Sequence, residues 1–441
     1  MEYITPLDSW IAGLIGADGR LTREAIEKWQ LAKLSDIVSF AYKNSQFYRE
    51  LFGESSPRVE TFDDFKDLPF VVESDLRLNS EKMAAVRPDE ISRIVTLQTS
   101  GTGGLPKRIF NTESDLENTI EFFANGLTVL VHPGDIVGVC MPCQTYGGVG
   151  DLIIKGLERL GATGIGIGPV FEATSVLGYL EKYRINVLIG LPVHMRNLAL
   201  TWNRNGQQQD IKIERVLLSA DVLCETIREQ LTGVWRCAVY EHYGLTEAGY
   251  GGAVDCLFHA GMHIREADLY AEIVHPVTGK PVPDGQQGEV VITTLTRLGM
   301  PMIRYRTGDI SAIEPGICPC GSPLRRLKQI RMRKHLAMNI DGETICQADF
   351  DDIMFKFIGL KEYSVEIIPT DGVCNVMLLG DLYPQTSLSN SEVTSAFWND
   401  RRFGQLLSTG RMSLRYEKAS MEVQVTDGMN KRKLKIPGVE K

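Results

Sequence analysis

No run of apolar residues in this 441-residue chain approaches the roughly 20 that a bilayer-spanning helix requires. The best stretches, Ile136 to Met141 and Val187 to Leu191, fall far short, so no membrane partner is expected. Basic charge is equally scarce. The formal net charge is -9 and no long basic stripe occurs outside the last dozen residues, which argues against a nucleic-acid surface. The first ten residues, MEYITPLDSW, lack a basic region followed by an apolar one, so no secretory signal is read. The nine cysteines are odd in number and scattered, as expected for reduced thiols in a cytoplasmic protein rather than for a disulfide framework. Internal repeats and low-complexity segments are also missing. What remains is an ordinary globular composition in a chain long enough for two or more domains.

Against that background, LQTSGTGGLPKRIF (Leu97 to Phe110) stands out. Thr99, Ser100, Gly101, Thr102, Gly103 and Gly104 have little apolar area to bury, so the segment is a loop. It offers unobstructed backbone N–H groups, hydroxyls and a terminal cation, a set that suits a chain of phosphate oxygens. A Walker-type loop needs Gly before its Lys and a hydroxyl after it. Here Pro106 precedes Lys107 and Arg108 follows, so that motif fails.

Around this loop the chain alternates. Thr22 to Phe52 has helical spacing through Leu31, Leu34, Ile37, Val38 and Ala41; ESDLENTIEFFANGLTVL reads as a capped helix, DIVGVCMP as a buried strand, and VGDLIIKGLERLGA as a helix. Strands at INVLIGLP, IERVLLSA and AVYEHYG with helices between them imply parallel sheets with helices on both faces. From Gly251 to Ile330 short strands separated by PVTGKP and PDGQQG read as an antiparallel barrel or ribbon, and beyond Arg331 the texture becomes mixed α+β.

Four signals recur in a fixed order: TSGTGGLPK, HYGLTEAG, GEVVITTL and MIRYRTGDI. On these the chain resembles the adenylate-forming (AMP-binding, acyl-CoA synthetase) enzymes, in their phenylacetate-CoA ligase branch. The resemblance implies an α/β fold: a large N-terminal domain of two parallel-type αβα sheets with a small β-barrel-like subdomain over residues 1–332, then a small mobile α+β lid over 333–441. It implies that Thr99, Ser100, Gly101 and Thr102 wrap the outer phosphates of ATP beside Lys107, and that Glu247, after Thr246, holds Mg2+. Tyr243, with His242 and Gly244, would lie against adenine, Asp309 would accept the ribose hydroxyls, and Ser219, Ala220 and Asp221 would form a strand end at the base. Each has a plainer alternative: Tyr243 a buried aromatic, Glu247 a first-turn acid, Asp309 a turn residue after Gly308, Asp221 a helix N-cap.

Cys256, His263, Cys318 and Cys320 match a closed tetrahedral site for structural Zn2+, with His259 competing for the nitrogen position and free thiols in turns as the alternative. Cys140 and Cys143 read as packing or pocket lining. Tyr146, Gly147 and Gly148 are the expected acyl-pocket segment, leaving room for a flat group and hence an aryl or arylacetic acid. Relatives carry a Gly-Arg-x-Asp-Asp hinge. Here Arg333 best matches its arginine, with Arg331 a rival, while His335 and Leu336 replace the two acids. Near the end, Lys433 best matches the lysine that polarises the reacting oxygens, with Lys431 and Lys435 as neighbours in the alternation and a solvated basic tail as the alternative.

The resemblance therefore implies an AMP-forming acid–thiol ligase acting on a small carboxylic acid, ATP and CoA, with catalytic roles for Lys433, Glu247, Thr102 and Lys107. Two alternatives remain: an adenylating enzyme with a carrier protein or a deazaflavin-type hydroxyl as acceptor, and a nucleotide-binding protein weakened by its altered hinge. The oligomeric state stays open, related enzymes often being homodimers.

Overall fold

The computed structural model describes residues 5–17, 20–97, 105–205, 211–334, 337–370, 372–419 and 434–435. Thr99, Ser100, Gly101, Thr102, His335, Leu336 and Lys433 lie outside the described residues. The chain divides into two compact units, Met1–Gly168 with Tyr240–Ile330 and Pro169–Val239 with Arg331–Lys441.

In the first unit the long N-terminal helical pattern forms two helices, Arg23–Asn44 and Gln46–Phe52. The break falls at Ser45, whose backbone is extended and whose hydroxyl accepts the Tyr48 amide, so one short polar residue ends one helix and caps the next. Of the residues that carry the helical spacing, Leu34, Ile37, Val38 and Ala41 are buried and Leu31 is half-buried. Strands Arg93–Leu97 and Lys107–Asn111 pair antiparallel with Leu97 opposite Lys107, which pins the two ends flanking residues 98–104 side by side. Thr112 and Asp115 form a reciprocal capping box that starts helix Glu113–Gly126. The strands Ile136–Val139 and Thr163–Gly166 are parallel, joined through helix Val149–Arg159, the expected βαβ unit.

The antiparallel part of this unit is an open ribbon rather than a closed barrel. Gly288–Thr294 lies between Leu269–Val274 and Tyr305–Ser311, with a bulge between Glu289 and Val291. All seven residues of the central strand are buried, so both of its faces are covered. Val290, Ile292, Tyr305, Tyr243 and Tyr48 share one apolar cluster there. The buried pair Arg304–Glu272 (2.9 Å) crosses it, and Arg304 also donates to the carbonyls of Lys66 and Leu68.

The second unit contains the parallel strands Val187–Gly190 and Arg215–Leu218 and helices Ala173–Tyr183, Pro192–Arg204 and Glu225–Trp235. Its remainder is a mixed sheet: Leu360–Thr370 and Val373–Leu382 form an antiparallel hairpin, flanked by parallel Met412–Lys418 and Leu434–Lys435. Phe350, Phe397 and Phe403 pack ring against ring behind it. Arg196, fully buried in its helix, donates to the carbonyls of Phe355, Phe357 and Leu360. One guanidinium thus ties the end of helix Gln347–Met354 to the αβ part of the same unit.

Candidate active site

Lys107 opens its strand directly after Pro106, and Glu247 sits in a short 3-10 turn, Thr246–Ala248, that Gly249 ends at φ 70°. Their side chains meet: Lys107 Nζ is 2.7 Å from Glu247 Oε1, with 15% and 8% of the two side chains exposed. Tyr305 donates its hydroxyl to the same Oε1 at 3.2 Å, and Glu73 Oε1 lies 3.5 Å from Lys107 Nζ. Glu247 thus heads its 3-10 turn and also pairs with a lysine and a phenol. A desolvated carboxylate held by a lysine and a phenol can accept a cation whose other ligands come from phosphate and water. Tyr305 falls within MIRYRTGDI but received no role from the sequence, and Glu73 lies in no motif.

Tyr243 and Asp309 form a second pair, the phenol donating to Asp309 Oδ2 at 2.9 Å in the interior. Asp309 is 2% exposed within strand Tyr305–Ser311, so it is not the turn residue that Gly308 invited. Gly244 is obligatory, since a Cβ there would lie 2.0 Å from the Tyr250 carbonyl oxygen. His242 is half-buried, its ring 5.7 and 5.9 Å from the rings of Phe122 and Phe123. Burial first, then the nearby Arg265 charge, pushes its pKa down to about 3, so its imidazole is neutral at ordinary pH.

In the expected acyl segment, Tyr146 is 51% exposed, donates to Glu113 at 2.8 Å and lies under the Lys155 ammonium, 4.5 Å from the ring centroid. Gly147 faces inward, its absent Cβ pointing at Arg93 Cγ and Leu116 at 3.2 Å. Cys143 packs against Gly150 and Gly166, and burial pushes the Cys140 thiol up to about 12, which fits packing rather than redox work.

In the second unit, Ser219, Ala220 and Asp221 follow strand Arg215–Leu218, with Ala220 left-handed at φ 71°. The next helix begins at Glu225 after Cys224, so Asp221 is not its N-cap; Asp221 Oδ1 accepts the Val222 amide instead. Arg331 is paired with Asp352 at 2.6 Å, whereas Arg333 lies in the two-residue strand Met332–Arg333.

Cys256, His263, Cys318 and Cys320 converge although 64 positions separate the first from the last. Their ligand atoms all lie within 4.8 Å of one another and all four residues are buried. The Cys256–Cys318 sulfurs are 3.7 Å apart and Cys320 Sγ is 3.5 Å from His263 Nε2. These separations match the edges of a tetrahedron with metal–sulfur bonds of about 2.3 Å, so the four residues fit zinc. His259 is turned away, its Nδ1 2.5 Å from Asp255 Oδ2, which decides the choice between the two histidines in favour of His263.

A βαβ layer and an antiparallel ribbon thus share one unit with two side-chain clusters, Lys107–Glu247–Tyr305 and Tyr243–Asp309. The chain belongs to the AMP-binding enzyme family, whose signature matches residues 17–296. It is similar to the phenylacetate-coenzyme A ligase of Pseudomonas putida, 30% identical over 77% of each chain, and to that of Thermus thermophilus, 29% identical over 76% of each. Its fold is similar to that of a 2-hydroxyisobutyryl-CoA ligase solved in the postadenylation state, with a TM-score of 0.77 at 18% identity over 94% of this chain and 90% of that one. A benzoate CoA ligase from Burkholderia xenovorans aligns with a TM-score of 0.55 at 16% identity, over 79% of this chain and 68% of that one. Among the described residues no helix is long and apolar enough to cross a membrane.

Proposed function

We propose that this chain is an AMP-forming acid–thiol ligase for an aryl or arylacetic acid. The acid's carboxylate oxygen attacks the α-phosphorus of ATP, pyrophosphate leaves, and the acyl-adenylate carbonyl is then attacked by the thiol of CoA, with AMP as the second leaving group. The observation that carries the reading is the Lys107–Glu247–Tyr305 cluster beside the strand pair that flanks residues 98–104, in the same unit as the Tyr243–Asp309 pair. The similarity to phenylacetate-CoA ligases supports the acid and the thiol acceptor.

On this reading Thr99, Ser100, Gly101, Thr102 and Lys107 hold the phosphates, and Glu247 holds Mg2+, which when bound neutralises phosphate charge. Tyr243 and Asp309 orient the nucleoside, with His242, Gly244, Thr246 and the segment Ser219–Asp221 around it. Such a site works by positioning and charge neutralisation, because a phosphoryl centre needs in-line geometry more than proton transfer. Lys433 supplies a further cation from a lid spanning 333–441, with Arg333 at its hinge. Cys256, His263, Cys318 and Cys320 hold one structural zinc. The odd number and scatter of the nine cysteines fit a reducing, cytoplasmic setting.

The test is ATP–pyrophosphate exchange over a panel of acids, followed by CoA-dependent AMP release. Phenylacetate-like acids should drive both. Exchange without CoA-dependent release would assign another acceptor, and nucleotide binding without exchange for any acid would leave only the binding-protein alternative.

A further inference from the structure

Beneath the loop that carries Glu247 lie two arginines that the adenylation chemistry does not use. Arg265 and Arg297 are each 2% exposed. Arg265 donates one N–H to the Ala248 carbonyl at 3.0 Å and lies 5.1 Å from the Phe122 ring centroid. Arg297 donates one N–H to Asn111 Oδ1 at 2.7 Å, and its Nη1 comes within 2.4 Å of where a Gly249 Cβ would stand. The Nε and Nη1 atoms of both guanidiniums are buried without a hydrogen-bond partner among the described residues.

Asp268 acts on Arg265 through its charge, but no carboxylate among the described residues takes a hydrogen bond from the Nε or Nη1 of either arginine. Asp115 is spent on the amides of Thr112, Leu298 and Gly299. Asp268 accepts the Thr296 hydroxyl, and burial pushes its carboxyl toward the neutral form. A third guanidinium, Arg93, acts with Arg297 on the half-buried Tyr250 phenol, which is held in a left-handed backbone at φ 63°. Buried cations normally come paired, and multi-donor guanidiniums match carboxylates best. The position is telling as well: Arg297 touches Gly249, two residues beyond Glu247, and Arg93 touches Gly147 of the acyl segment. Both contacts adjoin segments that the ligase reading places at the substrates, the turn after Glu247 and the Tyr146–Gly148 segment.

We infer that the acid activated by this chain carries a second anionic group, a carboxylate, held by Arg297 and Arg265 beneath the Ala248–Tyr250 turn. The inference rests on the ligase reading, keeps its adenylation and thiol-transfer steps, and replaces the simple aryl or arylacetic monoacid with a diacid, aromatic or aliphatic.

The experiment compares shape-matched acids in ATP–pyrophosphate exchange: 3- and 4-carboxyphenylacetate against their carbamoyl counterparts, and glutarate and adipate against their monoamides. In at least one series the diacid should exceed its monoamide in kcat/KM by about 100-fold or more, since a site built around charged donors rejects a partner that leaves them unpaired. That series tells the aromatic source from the aliphatic one. Arg297→Gln should collapse the diacid-to-monoamide ratio to within about threefold, and Arg297→Lys should recover part of it. Monoamides or unsubstituted acids that exchange as well as every diacid in the wild-type protein would overturn the inference, whether or not the variants fold. A parallel thermal-shift measurement with the diacids alone separates the two readings. Arg297-dependent stabilisation without exchange by any acid would sustain the anion site and sink the ligase reading.

Discussion

Glu247→Gln is the most informative single perturbation of the proposed ligase. The substitution keeps the shape and an acceptor for Tyr305 but removes the charge that faces Lys107 at 2.7 Å. At an effective dielectric near 20 that contact is worth about 6 kcal/mol gross, most of it offset by the cost of keeping two ions out of water. The net value of a hydrogen bond to a charged group is about 1.5–3 kcal/mol, and Glu73, 3.5 Å from the same ammonium, remains to take up part of the loss. Denaturant unfolding should therefore show a modest destabilisation, on the order of 1–2 kcal/mol. Activity should fall much further, by roughly 100- to 1000-fold in ATP–pyrophosphate exchange, as happens when a preorganised group at a charged transition state is removed. The Mg2+ concentration for half-maximal exchange should rise in parallel. The reasoning fails if the variant exchanges within about fivefold of wild type with an unchanged Mg2+ requirement, because the carboxylate would then be a structural partner of Lys107 and nothing more.

Three further outcomes are expected. Tyr243→Phe removes the O–H that holds Asp309 at 2.9 Å, so KM for ATP should rise about tenfold or more with kcat less affected; a loss confined to kcat would contradict the nucleoside-orienting role. Purified protein should contain about one zinc per chain by elemental analysis, and Cys318→Ser should lose that zinc and lower the melting temperature by at least about 5 °C; metal-free wild-type protein of undiminished stability would dismiss the metal. His242 titrates near 3 when folded but near 6.5 when unfolded, so only the unfolded chain binds its proton in between. Its contribution to stability is complete above the unfolded value and declines below it by up to about 1.4 kcal/mol per pH unit. Urea unfolding from pH 7 to pH 5 should accordingly show a slope one proton steeper in wild type than in His242→Gln, and parallel slopes would refute a neutral imidazole in the folded chain.

Much of the local structure was legible because it depends on neighbours in the chain. The capping box of Thr112 and Asp115, the helical spacing of Leu34, Val38 and Ala41, and the alternation of strand and helix from Ile136 to Leu218 need no distant partner to be read. The Ser45 break was missed because helical periodicity continues across it; only the extended backbone of one residue interrupts the pattern. The ribbon was expected as a barrel or ribbon, and the choice depended on which strands find hydrogen-bond partners, which local turn residues do not encode.

The sequence by itself determined most of the elements, the motif residues and the three cysteines of the zinc-compatible set, since each is fixed by residue type and by local order along the chain. The tertiary structure alone decided that His263 and not His259 joins the cysteines, that Asp309 sits in a strand under Tyr243, and that Tyr305 and Glu73 stand beside the Lys107–Glu247 pair. It also decided that Arg265 and Arg297, 32 positions apart and in no motif, lie buried on the same turn with donors to spare. The physical reason is that ion pairing and desolvation act through space: whether a charge is paired depends on what folding brings within a few ångströms of it, and the order of residues along the chain does not state that.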